Sequence, residues 1–177
     1  MHIGLGIGPG IIVTLLLLIT MQSKAGDLSL FDEIPLHNEA DISQTGADLT
    51  AYIHQTGNNA ASVSQTGYDH NARIMQKGYG NQADVIQYGT NQDADITQLG
   101  WENLAVVSQY GIGNSAAIDQ KGHYNTATIE QIGEDNFARV NQDGIGNHAA
   151  ISQNGTANSI SVTQYGAGMY VSIKQWD

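Results

Sequence analysis

The sequence contains no cysteine, which closes off disulfide frameworks, thiolate metal sites and thiol nucleophiles together. Proline occurs twice, at Pro9 and Pro35, so beyond Pro35 every residue keeps its backbone N–H. Basic side chains are scarce. Lys24, Arg73, Lys77, Lys121, Arg139 and Lys174 stand against 17 Asp and Glu, for a formal net charge of -11. Six cations scattered singly cannot neutralise a run of phosphates, which argues against a nucleic-acid partner. Phenylalanine and leucine almost vanish after Phe31, so a compact core of large aliphatics is not expected. Charged residues make up only 13% of the chain, and Gly, Gln, Asn, Ser and Thr fill much of the rest. Such a polar composition would fit disorder. The spacing of its residues defeats that reading.

The single long apolar run is near the start, from Gly10 to Met21, with Ile11, Ile12, Val13 and Leu15 to Ile19 at its centre. About a dozen residues suit the core of a signal peptide and fall short of the ~20 needed to span a bilayer. Ser23-Lys24-Ala25 supplies small residues where a signal peptidase reads, so residues 1–25 are expected to be a signal peptide cleaved after Ala25. The first ten residues carry no Lys or Arg, and His2 and the amino terminus are the only cationic candidates there. Residues 26–37 are expected to form a short leader, and 38–177 a repeat domain.

The repeat is marked by Gln44, Gln55, Gln65, Gln76, Gln87, Gln98, Gln109, Gln120, Gln131, Gln142, Gln153, Gln164 and Gln175. Every step is eleven residues except the ten from Gln55 to Gln65. Two residues before each Gln stands Ile or Val, from Ile42 to Ile173. Four before stands Ala, from Ala40 to Ala149, then Ile160 and Val171. Six before stands mostly Asn, including Asn81, Asn103, Asn114, Asn125, Asn136 and Asn147, and two after stands Gly, from Gly46 to Gly166. The unit N-x-A-x-I/V-x-Q-x-G thus occurs thirteen times.

Period two places Asn, Ala, Ile/Val and Gln on one face of a β-strand, whereas a helix would scatter them. The Gly and the one or two residues after it read as a tight turn. The ten-residue step leaves Asn59, Ala61 and Val63 in their columns, so the missing residue belongs to a turn. The expected fold is all-β: a β-solenoid of two parallel in-register sheets, about 22 residues per winding, stacked at the ~4.8 Å strand spacing and becoming cross-β amyloid on assembly. One winding's amides would then bond to the identical residues of the next, a ladder that accounts for Gln and Asn at inward positions without any chemistry.

The unit, written from Gln76 to Gln87 as QKGYGNQADVIQ and from Gln109 to Gln120 as QYGIGNSAAIDQ, resembles the curlin repeat of bacterial curli subunits, over residues 38 to 175. The resemblance implies a structural subunit of extracellular amyloid fibres at the bacterial cell surface, used in biofilm matrix and adhesion. It also implies self-association, a second curlin-repeat subunit, a curli-type outer-membrane export pore and periplasmic helpers. Near-uniform units and a divergent last unit, Met169 to Gln175, resemble the minor, nucleating subunit. The thirteen units and the sparsely basic end depart from that pattern, which leaves major and minor roles both open.

No enzyme is expected: the columns yield no carboxylate pair, Ser/His/Asp set or phosphate loop, and no cofactor is called for. His37, His54, His70, His123 and His148 fall in different columns and so form no metal-ligand stack. Arg73 and Asp95 share a column one winding apart, where a surface ion pair is expected. Tyr88, Tyr110 and then Ile132 share an outer column, as a lateral-contact stripe or through the ordinary β-propensity of aromatics. The expected assembly ends are Ala40 and Ile42 at one side and Val171 and Ile173 at the other. The alternative is a monomeric secreted solenoid binding a surface or polysaccharide. It would favour a regular outward row, but Thr45, Thr56 and Thr66 give way to Lys77 and Tyr88.

Overall fold

The computed structural model describes residues 37–177, together with Thr14 and Leu15. Apart from those two and His37, the expected signal segment and leader lie outside the described residues. Among the described residues the secondary structure is all strand: β1 (Thr14–Leu15), β2 (Glu39–Ala47), β3 (Thr50–Tyr68), β4 (Asn71–Thr90), β5 (Asp93–Trp101), β6 (Leu104–Ile112), β7 (Ser115–His123), β8 (Thr126–Glu134), β9 (Phe137–Ile145), β10 (His148–Thr156), β11 (Ser159–Ala167) and β12 (Tyr170–Trp176). The two long strands β3 and β4 each carry two repeat units and bend round a corner. The others from β2 onward carry one each.

Every pairing is parallel and joins each unit to the unit two further on. The coil therefore has two faces. Seven units stack on one, in β2, the second halves of β3 and β4, then β6, β8, β10 and β12. Six stack on the other, in the first halves of β3 and β4, then β5, β7, β9 and β11. The fold is thus the two-faced, 22-residue β-solenoid that the spacing predicts. β1 runs beside Thr50 and Ala51, on the outer edge of the six-unit face.

Alternation along each strand explains the packing. In β6, Ala105, Val107 and Gln109 are buried while the residues between them are partly open to solvent. Repeated through the coil, this gives one continuous apolar column pair from Ala51 and Ile53 to Ile160 and Val162, with Ile42, Val171 and Ile173 packed against its two ends. Each fully buried Ile or Val contributes roughly 1.5–3 kcal/mol.

The corners are built from two backbone conformations. The repeat Gly has a φ between +109° and +143°, and a Cβ added at Gly111 would overlap the carbonyl oxygen of Gly133 one winding on. Glycine is required there on both counts. Two residues later the chain turns left-handed, with φ from +52° to +69°, at Gly80, Gly113, Gly146 and Gly168 but also at Asp48, Asp69, Asn91, Glu102, Tyr124, Asp135 and Ala157. The short step between Gln55 and Gln65 deletes this corner residue, and the only shift in register among the described residues falls there, between Asn58 and Ala60. A corner can lose its left-handed residue because the ladder on either side is fixed by the strands.

Candidate functional site

An extended array of amides, and the two ends of the coil where that array stops, are the features that can act on another molecule. The glutamines form two ladders. On the seven-unit face, Gln44 Nε2 donates to Gln65 Oε1 (2.7 Å), and the chain continues through Gln87, Gln109, Gln131 and Gln153 to Gln175. On the six-unit face it runs from Gln55 through Gln76, Gln98, Gln120 and Gln142 to Gln164, at 2.7–2.9 Å. All are buried except the terminal Gln44 and Gln175.

Each amide does a second job that periodicity does not disclose. Gln109 Nε2 also donates across the core to the Asp93 carbonyl oxygen (2.9 Å), on the opposite face. The same bond recurs from Gln55 to Glu39 through Gln164 to His148. One amide hydrogen therefore ties windings together and the other ties the two faces together. This contact also fixes which way each amide points, since a carbonyl can only accept from the nitrogen. Every Gln dipole consequently has the same direction along the axis, nitrogen toward the C-terminal end.

The asparagines run the other way. Asn103 Nδ2 donates back to Asn81 Oδ1 (2.9 Å), and Asn103 N donates to the same oxygen (3.2 Å). Asn125 repeats both bonds onto Asn103, and Asn136 onto Asn114. Asn147 N donates to Asn125 Oδ1 (3.1 Å). The remaining hydrogen reaches a corner Gly carbonyl, as from Asn114 to Gly133 (3.0 Å). Asn side chains thereby satisfy backbone groups that the corner leaves unpaired.

Two polar members of this column escaped the sequence reading because they are not Asn. His70 and Gln92 both stand six residues before a repeat Gln, and that offset alone would have found them. His70 is 1% exposed. Its Nε2 lies 3.2 Å from the Thr66 carbonyl oxygen, and its Nδ1 accepts from Gln92 N (3.3 Å). A neutral imidazole with hydrogen on Nε2 thus replaces the asparagine. Gln92 is a methylene too long: its Nε2 reaches Tyr88 O and Gly111 O, both at 3.1 Å, while its buried Oε1 finds no partner.

Burial holds the His70 pKa below its ordinary 6.5, against the opposing pull of the Thr66 carbonyl and Asp69. The folded chain therefore binds fewer protons at this site than the unfolded chain. The contribution is intact above pH 6.5 and is lost as pH falls from there through the depressed folded value. Unfolding midpoints in denaturant should drop on acidification through that window, and His70→Asn should remove part of the drop. Identical pH profiles for the two chains would refute the assignment.

Outside the ladders, Arg73 and Asp95 are register neighbours. The expected ion pair is nevertheless not made: Arg73 Nη2 points to Met75 Sδ (3.2 Å), and the ion pair among the described residues is Lys121–Asp119 at 3.7 Å. Partial burial raises the Asp95 pKa, with Arg73 pulling it down, so charge at this carboxylate is disfavoured by desolvation first. Tyr88, Tyr110 and Ile132 do lie in register and are exposed. The aromatic ring pairs among the described residues fall elsewhere, at Trp101–His123 and His148–Tyr170, the latter stacked at 5.0 Å. Among the described residues no group of three or more His, Cys, Asp or Glu could hold a metal ion.

The ends expose the interior. At the N-terminal end, Ala40 is exposed and Ile42 partly so. At the other, Val171 and Ile173 are half-buried. Among the described residues, Gln44 and Gln55 Oε1 have no donor from a preceding winding, and the Nε2 groups of Gln164 and Gln175 have no acceptor from a following one.

A family model for the curlin-associated repeat matches residues 38–67, 69–100, 101–133 and 133–166. The chain belongs to the curlin-repeat family. No curated protein matches it. The four matches cover nearly all of the coil, and each takes in close to three strand-and-corner units. As a curlin-repeat chain it is a structural β-solenoid of the kind from which curli amyloid subunits are built.

Proposed function

We propose that this curlin-repeat chain is a secreted subunit, major or nucleating, of extracellular curli-like amyloid fibres at the bacterial cell surface, and that it polymerises head-to-tail. Residues 1–25 direct export and are removed, residues 26–37 serve as the leader read by the export machinery, and residues 38–177 form the fibre. The partners are other copies, a second curlin-repeat subunit, the outer-membrane pore and its periplasmic helpers. Biofilm matrix and adhesion are the roles of the fibre.

The observation that carries this reading is the pair of ends at which the strands and amide ladders of the described residues stop, with β1 alone beside Thr50 and Ala51 at one of them. Unpaired strand edges are templates for another chain. Here, among the described residues, each edge also presents amide groups of opposite polarity: Gln44 and Gln55 Oε1 without a donor, and at Gln164 and Gln175 an Nε2 hydrogen without an acceptor from a following winding. An open, heterologous contact of this kind propagates without closing. The outward rows support a fibre more than a flat recognition surface, because Thr45 and Thr66 are followed in register by Tyr88, and Thr56 by Lys77.

Purified chain beginning at Gly26 should form fibres without cofactor or energy source, with the ~4.7–4.8 Å cross-β reflection and a thioflavin response. Protein that remains monomeric by light scattering for days at micromolar concentration would show the reading to be wrong.

A further inference from the structure

The coil holds an odd number of units, seven on one face and six on the other, so its two ends are not equivalent to the ends of whole windings. We infer that successive copies in the fibre are related by a half-turn about its axis, the seven-unit face of one copy stacking on the six-unit face of the next. The inference rests on the head-to-tail reading and specifies its joint.

The geometry leaves two ways to place a second copy. In the first, its β2 continues the seven-unit face, directly over β12. Its next unit then lies too far along, and the six-unit face is left with a gap one strand wide between β11 and the second copy's β3. In the second, the copy is turned by half a revolution. Its β2 now lies over β11 and the first half of its β3 over β12. Both faces continue without a gap, and all strand N–H and C=O groups at the joint are paired.

The corner column chooses between them independently. It ends in Asn158 on one corner and in Met169 on the other, and it begins in Asn38 and Leu49. Inside the coil Asn Oδ1 accepts from the residue above it in the column, as Asn136 Oδ1 does from Asn158 N (3.0 Å) and Asn147 Oδ1 from Met169 N (3.1 Å). Asn158 Oδ1 has no donor among the described residues. The half-turn sets the second copy's Asn38 over Asn158, extending the ladder, and its Leu49 over Met169, apolar on apolar. Without the turn, Asn38 meets the Met169 thioether and Asn158 Oδ1 stays without a donor, while its Nδ2 donates to Asp177 Oδ1 (3.4 Å) in either case. A carbonyl oxygen enclosed at the joint without a donor is disfavoured, so polar pairing and strand pairing select the same joint. Leu49 is buried and Met169 half-buried already in the single chain. Thr14 and Leu15 lie on the edge that β12 of the neighbouring copy would take, so the proposed removal of residues 1–25 also clears that edge for the joint.

The absence of cysteine makes the test free of background. Adjacent in-register residues on neighbouring parallel strands are ~4.8 Å apart, within the Cα separation a disulfide tolerates. The half-turn places Thr163 beside Ser43 and Lys174 beside His54. The unturned joint places Lys174 beside Ser43. Chains carrying S43C with T163C, H54C with K174C, or S43C with K174C are assembled from Gly26 onward under reduction, oxidised as fibres, and run on non-reducing gels. The first two pairs should shift to a ladder of linked multimers and the third should stay monomeric. Linkage through the third pair, through all pairs alike, or through none in fibres that have formed overturns the half-turn. Helical symmetry of the unmodified fibre gives a second reading, since six and a half windings at ~4.8 Å predict a rise of about 31 Å per copy with a rotation near a half-turn. A rise with no such rotation overturns the inference even where a cysteine variant fails to assemble. Absence of any fibre refutes the polymerising function instead.

Discussion

Ile173→Lys is expected to stop fibre elongation, while Ser172→Lys, one residue away, leaves it close to the wild-type rate. Ile173 points inward at the C-terminal end, where it packs against the buried column and pairs in register with Ile151. Ser172 is exposed. In a single chain a lysine at 173 sits on the last winding and can turn its ammonium to water, so the preceding windings still fold. Once another copy stacks on that end, the same ammonium is enclosed between two faces with no carboxylate near it. The penalty for an unpaired buried ion is several kcal/mol, enough to reduce addition by more than a hundredfold. The experiment is seeded growth with wild-type seeds and each variant as added monomer. A variant subunit can dock its intact N-terminal end once on a seed and then offers a blocked end. Thioflavin signal should therefore plateau almost at once for Ile173→Lys and rise steadily for Ser172→Lys. Equal rates would show that growth does not use the end-to-end stack.

Gln109→Ala should destabilise the coil by about 3–6 kcal/mol, against about half a kcal/mol or less for Ser108→Ala. Three groups lose their partner when the Gln109 amide is removed. Gln87 Nε2 loses its acceptor, Gln131 Oε1 loses its donor, and the Asp93 carbonyl on the opposite face loses the bond that crosses the core. The two glutamine amides lie where water does not reach, and each unsatisfied buried group costs roughly 1–3 kcal/mol, with the lost cross-core bond adding to this and neighbouring shifts recovering some of it. Ser108 points outward and is partly solvated, and no side-chain bond of the ladder depends on it. Denaturant unfolding of each variant gives the stability difference, and unseeded lag times give the effect on assembly. Equal midpoints and equal lags for the two would mean that the amide array does not hold the coil together.

The strands and their stacking were legible because period-two spacing and a fixed step of eleven leave one geometric solution. Ile96 and Ile118, 22 residues apart, can only share a buried column if their strands are register neighbours, and they are. A one-residue slip would turn the entire inward set to solvent, so the sequence pattern and the register are the same information. Glycine after every Gln likewise announces a corner. Expectations drawn from charge carried less. Arg73 and Asp95 share a column, yet a long side chain at the surface selects among many contacts of similar energy, and it turned to Met75.

What the sequence determined by itself is the set of columns, the winding length and the count of units, because each follows from spacing along the chain. The odd count was visible there too. The tertiary structure decided the quantities that depend on direction. Gln and Asn ladders run with opposite polarity because each amide must also meet a carbonyl across the core or at a corner, and those carbonyls are far away in sequence. The left-handed corners at residues as ill-suited as Tyr124 and Ala157 follow from strand stacking on both sides, which outweighs their local preference. His70 serves as an asparagine for the same reason: the column supplies a carbonyl on one side and a backbone N–H on the other, and any buried side chain that can give to the first and accept from the second will fit.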